Sequence, residues 1–368
     1  MASDGSQAVE WHGQAFPYLM HKPQPAVAVT RAGSPPGAVS AETSSTAKGV
    51  WDGPAPRGAA TRAQAERTQA AYTTEALPQE DHVCLPGGAK LPLLGFGTYK
   101  VTSSDVLREA LAAGYRHFDC ASVYGNEATV GEGLQEYTAS RRDELFVTSK
   151  VWNDAHRPEA VKASCHKSIV DLRCAYLDLY LIHWPVAWVP GSDNEPDTEV
   201  TLQQTWQALE ELVDEGLVRH IGVSNFSLAQ VEALVAGARI KPVVNQVELH
   251  PLLAQRKLVG GCLRKGVKCV AYSPLGHSAP VLLTHPEVVA IAEETGKTPA
   301  QVALKWNVQR GVPVIPRSQT PKNIKSNIEG MFDWQLSPAQ KARLDALDSN
   351  TRTVKPITDQ FDWNCATL

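Results

Sequence analysis

Asp119, Lys150 and His183 each close a short apolar run, and Tyr124 stands just beyond Asp119. An isolated charge at the end of an apolar strand is costly, so Asp119 and Lys150 are expected to pair with each other. A lysine held between Asp119 and Tyr124 favours the phenolate and is expected to lower the tyrosine pKa toward working pH, making Tyr124 a general acid. His183 would donate a hydrogen bond that orients a carbonyl oxygen near that hydroxyl. Together the four make an acid site without a metal. Each alone has a structural explanation, because perturbed groups also occur in structural networks; it is the set of four, gathered at one place, that points to catalysis.

The elements that would gather them alternate between short apolar runs and helical patterns after His82, the rhythm of parallel strands joined by crossover helices. Eight strands are predicted, over 93–100, 115–120, 145–151, 177–184, 218–224, 243–248, 267–273 and 312–317. At their carboxyl ends stand Tyr99, Asp119, Lys150, His183, Ser224 with Asn225, Gln246, Tyr272 and Arg317, the positions where a barrel builds its active site. Continuous runs such as Leu179-Tyr180-Leu181-Ile182 suit strands covered on both faces. Capping boxes begin helices at Ser227, Thr298 and Ser337, two of them with proline at the first helical position. Leu202, Trp206, Leu209 and Leu212 recur at helical spacing, with Gly216 as a stop. The fold expected is α/β, a (β/α)₈ TIM barrel over residues 83–368 that includes a C-terminal substrate loop. A doubly wound dinucleotide fold would need G-x-G-x-x-G after a strand, and both Gly95-Phe96-Gly97 and Gly131-Glu132-Gly133 lack the third glycine.

Composition narrows the rest. A net charge of −4 gives no basic field, so nucleic acid is not an expected partner. No run of apolar residues is long enough for a bilayer-spanning helix, so no membrane partner is expected either. The seven cysteines form no C-x-x-C pair, which argues against a zinc cluster or disulfide framework and for a reducing compartment. Asn225-Phe226-Ser227 fits a glycosylation pattern but follows an apolar strand, and is taken as a chance match. Residues 1–82, rich in Pro, Gly, Ala, Ser and Thr, are expected to be a disordered or low-complexity extension. Their eight acidic and six basic side chains fit a plastid or mitochondrial leader poorly, so a cytoplasmic location is expected.

The stretch Gly114-Tyr115-Arg116-His117-Phe118-Asp119-Cys120-Ala121-Ser122-Val123-Tyr124-Gly125-Asn126-Glu127, with Phe146-Val147-Thr148-Ser149-Lys150 and Leu181-Ile182-His183-Trp184-Pro185, resembles the aldo-keto reductases of the aldose and aldehyde reductase type. Cys120 stands where Thr is common. The resemblance runs from about Val83 to Asp348 and implies NADPH-dependent reduction of an aldehyde or ketone, with Tyr124 as proton donor, in a monomer acting on small-molecule carbonyls. It implies that Thr98, Tyr99 and Asp119 border the cofactor. Ser224, Asn225 and Gln246 would bond the nicotinamide carboxamide, Tyr272 would stack beneath the ring, and Ser273 and Leu275 would line the pyrophosphate path. Arg317, Ser318 and Thr320 would meet the adenosine 2′-phosphate, and Asn327 would face the adenine.

Two departures from the family pattern bear on the cofactor. Asn323 and Ser326 stand where Arg and Glu are usual, which opens the site to NADH as well. The loop 276–285 carries no acidic residue to clasp Lys100 or Arg317, from which faster cofactor exchange is expected. Tyr99, Trp152, His183 and Trp184 resemble the substrate pocket, with Trp188 and Trp363 as secondary candidates. Two rival readings remain: a non-catalytic nicotinamide-binding regulatory or structural member of the same family, and an ordinary reductase whose extension is an interaction segment.

Overall fold

The computed structural model describes residues 81–277, 280–357 and 361–363. The expectation of disorder for 1–82 therefore lies outside them except at Asp81 and His82, as does part of the loop 276–285. Two short strands open the described chain, β1 (His82–Cys84) and β2 (Lys90–Pro92), paired antiparallel around a turn in which Gly87 and Gly88 hold φ of 79° and 82°. That left-handed backbone is why glycine stands there. This hairpin was not anticipated, although Pro86-Gly87-Gly88 between Leu85 and Leu91 is a turn signal.

Seven parallel strands follow in simple order: β3 (Phe96–Gly97), β4 (His117–Asp119), β5 (Phe146–Val151), β6 (Leu177–Ile182), β7 (Val218–Ser224), β8 (Val244–Glu248) and β9 (Lys268–Tyr272). Every residue of β5, β6 and β8 is buried, as expected for strands with helices outside and a packed interior. The predicted eighth strand, 312–317, forms only bridges, Val314 pairing with both Leu94 and Ala271. Gly95 N donates to Val314 O (2.8 Å) and Ile315 N to Ala271 O (3.1 Å), so this segment closes the barrel. It is no continuous strand because Pro313 and Pro316 have no N–H to give to a ladder. The first predicted strand, 93–100, likewise shrinks to Phe96–Gly97. A Cβ on Gly97 would stand 2.9 Å from Ile315 O, so only glycine lets the closing segment approach this far.

Leu85 and Leu91 of the hairpin pack with Phe146, Leu179, Leu181, Val244, Val270 and Ile315, plugging the amino-terminal end of the barrel. The carboxyl-terminal rim is left to build a site. The capping boxes at Ser227, Thr298 and Ser337 all form, and a fourth forms at Thr201 with Gln204. Trp206, Leu209 and Leu212 lie buried against the sheet as the helical stripe required.

Candidate active site

Lys150 projects from β5 into a fully buried position, where its Nζ donates to Asp119 Oδ1 (2.6 Å) and Cys120 O (2.7 Å). Asp119, the last residue of β4, accepts at its other oxygen from Gln246 Nε2 of β8 (2.6 Å). Tyr124 is carried by a tight 3-10 turn, Ser122–Tyr124, that Gly125 ends in the left-handed region. Ser122 Oγ donates to Lys150 O (3.0 Å), and Asn126 Nδ2 donates to Thr98 O and Val101 O (both 2.8 Å). These bonds pin the turn between β3 and β5 and bring the Tyr124 ring centre to 5.2 Å from Lys150 Nζ. His183, just past β6, presents its ring edge-on to Tyr124 at 5.9 Å. The structure thus brings Asp119, Tyr124, Lys150 and His183 together.

The electrostatics differ from the sequence expectation at one point. Burial pushes the Tyr124 phenol up to about 12, and although Lys150 pulls it down through its charge and as a donor, burial wins. The expected net lowering is therefore corrected: Lys150 offsets part of a desolvation penalty. For Lys150 itself burial works to lower the pKa, but Asp119 and the Tyr124 hydroxyl outweigh it and the net shift is upward. Burial, helped by Lys150, drives His183 well below its ordinary value, so the imidazole is neutral.

Around this group runs a second network. Ser224 Oγ donates to Gln246 O (2.9 Å), and Asn225 Nδ2 donates to Ser224 Oγ (3.1 Å) and His183 O (3.0 Å). Tyr272, ending β9, donates from its hydroxyl to Asn225 Oδ1 (2.8 Å). Asn225 is buried with φ of 62°, which makes the glycosylation pattern there inaccessible. Thr98 is fully buried and donates to Asp119 O (2.8 Å), while Tyr99 is exposed and tilts over Tyr124 at 5.1 Å. Farther along the rim Ser273 is left-handed and Leu275 half-buried. Arg317 is exposed and reaches Tyr99 O at 3.4 Å. Thr320 caps the helix Pro321–Ile328 without a side-chain bond to its first-turn amides, and its own N–H meets Ser318 Oγ (3.1 Å). On that helix Asn323 is exposed, Ser326 half-buried and Asn327 buried.

Trp152 stands edge-on to His183 at 5.0 Å and to Trp188 at 5.7 Å. Trp184 packs against Phe361 (5.2 Å) and Trp363 (5.6 Å) of the tail. Phe361 was missed in the sequence, where only its proximity to Trp363 could have pointed to it. Ser122, Asn126 and Glu127 were also missed as positioning groups. Glu127, itself buried, accepts from Ser149 Oγ (2.6 Å) and Ser168 Oγ (2.8 Å) and so braces β5 next to Lys150.

Comparison with known proteins places this arrangement. The model of the Aldo/keto reductase family matches residues 87–349. Aldo-keto reductase family 1 member A1 of Rattus norvegicus is 45% identical over 298 residues, covering 75% of this chain and 91% of that protein. Its Homo sapiens counterpart is 44% identical over the same length, with the same 75% and 91% coverage. The solved structure of an aldose reductase from Schistosoma japonicum superposes with a TM-score of 0.70 at 40% identity, over 74% of this chain and 94% of that one. With the family's model spanning the barrel and Asp119, Tyr124, Lys150 and His183 assembled on its rim, this chain belongs to the aldo/keto reductase family and is an oxidoreductase of carbonyl groups.

Proposed function

We propose that the chain reduces an aldehyde or ketone to the alcohol using NADPH, as a cytoplasmic monomer, with Tyr124 delivering the proton. The observation that carries this reading is the buried Lys150–Asp119 pair (2.6 Å) beside the Tyr124 ring, with the His183 ring facing the same tyrosine. The rim fits a dinucleotide by the chemistry of its donors. Ser224, Asn225 and Gln246 form a polar row in which the second N–H and the oxygen of the Gln246 amide are left for a carboxamide, and Tyr272 supplies an aromatic face. Arg317, with the Lys322 N–H in the first turn of the helix Pro321–Ile328, which no side chain caps, suits an anionic phosphate. When bound, the dinucleotide supplies the hydride.

His183 is neutral, so an imidazole N–H can hold the substrate carbonyl oxygen without giving up its proton. Tyr124, with its pKa at about 12, stays protonated throughout the physiological range. An alkoxide is a stronger base than a phenolate, so transfer from Tyr124 remains downhill. Lys150 stabilises the phenolate left behind, and Asp119 keeps Lys150 in place without exposing it to water. Arg317 favours the phosphorylated dinucleotide, while Asn323 and Ser326 leave NADH able to compete. The indole walls of Trp152 and Trp184 suit substrates with an apolar body.

Tyr124→Phe tests the reading. It removes the acid but leaves the Lys150–Asp119 pair intact, so NADPH should bind with unchanged affinity while kcat falls by about 10²–10⁴. Fluorescence titration and aldehyde-dependent NADPH oxidation measure the two. Wild-type protein that binds NADPH yet turns over no aldehyde would support the non-catalytic alternative, and retained turnover in the variant would remove Tyr124 from the mechanism.

A further inference from the structure

Glu248, at the end of β8, is fully buried although the mechanism above does not use it. A buried carboxylate persists where donors compensate its lost hydration. Its Oε1 accepts from Thr353 N (2.7 Å), Thr353 Oγ1 (2.5 Å) and Val354 N (3.2 Å), with His250 Nε2 at 3.1 Å. Burial works to raise the Glu248 pKa, yet these partners outweigh it and hold it below the usual value. Thr353 and Val354 lie 105 and 106 residues farther along, in the C-terminal tail. The backbone carbonyl of Glu248 makes a second tie: it accepts from Gln255 Nε2 (2.8 Å), and Gln255 Oε1 accepts from Arg352 Nη2 (3.3 Å). Arg352 lies 3.6 Å from the ring centre of Trp363, which packs on Trp184, the neighbour of His183. On its other flank Glu248 is in register with Tyr272 of β9.

The geometry points to Glu248 as the clamp that holds the tail's aromatic residues against Trp184, and so as a positioning residue that selects carbonyl substrates with an aromatic or extended apolar group. This rests on the carbonyl-reductase reading. Clamped in advance, Phe361 and Trp363 need not be ordered at the expense of substrate binding; unclamped, the ordering cost falls on substrates that touch them. A small aldehyde does not reach them and is spared.

The test compares a two-ring aromatic aldehyde, naphthaldehyde, with propanal in Glu248→Gln and Thr353→Val. The first keeps the shape and loses the charge; the second removes one donor from the tail and leaves the barrel core untouched. KM for naphthaldehyde should rise about tenfold in both, with kcat and the KM for propanal changed less than about twofold. Equal losses on both aldehydes, or none on either, overturn the proposal, and Thr353→Val decides it alone should Glu248→Gln fail to fold. Wild-type protein that reduces neither aldehyde refutes the reductase reading itself. Faster tryptic cleavage after Arg352 in Thr353→Val than in wild type then still supports the clamp, and equal cleavage refutes it.

Discussion

In the proposed mechanism Lys150 has two tasks, neutralising Asp119 and polarising Tyr124, and replacing it with methionine separates them. Its ammonium stands 5.2 Å from the Tyr124 ring centre. At an effective dielectric of about 20, a unit charge at that range favours the phenolate by about 3 kcal/mol, or roughly two pKa units. Losing that attraction as the proton leaves Tyr124 slows delivery on the order of a hundredfold. Lys150→Met also strands Asp119 in the core with Gln246 as its remaining side-chain donor, at 2.6 Å. Breaking a buried pair in this way costs about 3–5 kcal/mol of stability. Adding Asp119→Asn removes the stranded charge but does not restore the cation. The single variant should therefore lose both stability and kcat, whereas the double variant should regain most of the stability and stay about a hundredfold slow. Urea denaturation and NADPH oxidation at saturating aldehyde measure the two quantities. A double variant with wild-type kcat refutes the polarising role, and a single variant as stable as wild type refutes the buried pair.

Arg317→Ala should weaken NADPH binding by roughly ten- to a hundredfold, the worth of a charge-assisted hydrogen bond, and leave NADH within about twofold; parallel fluorescence titrations check it, and equal losses for both would move the phosphate site elsewhere. His156 is buried, which lowers its pKa from 6.5 to about 4 against the pull of Asp197, and His117 is lowered to about 4 likewise by burial. As pH falls the unfolded chain takes up these protons first, so stability is complete above pH 6.5 and declines toward pH 4, by about 3 kcal/mol for each histidine. His156→Leu should remove at most about a third of the histidine-linked decline between pH 7.5 and 4.5 in urea titrations, because buried His183 is lowered as well, and an unchanged slope would show that His156 is not among the proton acceptors.

Much of the barrel was legible in the chain itself. Continuous apolar runs such as Leu179–Ile182 and capping boxes such as Ser227 with Gln230 are local patterns, and local patterns survive in sequence because hydrogen bonding and burial repeat with the period of the element. The polar residues at the strand ends were visible for the same reason, since Asp119, Lys150 and His183 each interrupt such a run.

What the chain order could not decide was how distant segments meet and what each meeting costs in hydration. Val314 closes the barrel between Leu94 and Ala271 through bridges alone, because two prolines flank it. Gln246 reaches Asp119 across 127 residues, and Glu248 grips the tail across 105. The acidity of Tyr124 shows why. Its neighbour Lys150 could be inferred from the motif, but the desolvation that overrides Lys150, at a side chain that is itself half-buried, belongs to the assembled rim and to no stretch of residues. Residue types and spacing determine which groups can react; desolvation and long-range contact, which exist only once the barrel has closed, determine how strongly each is held and in which protonation state it waits.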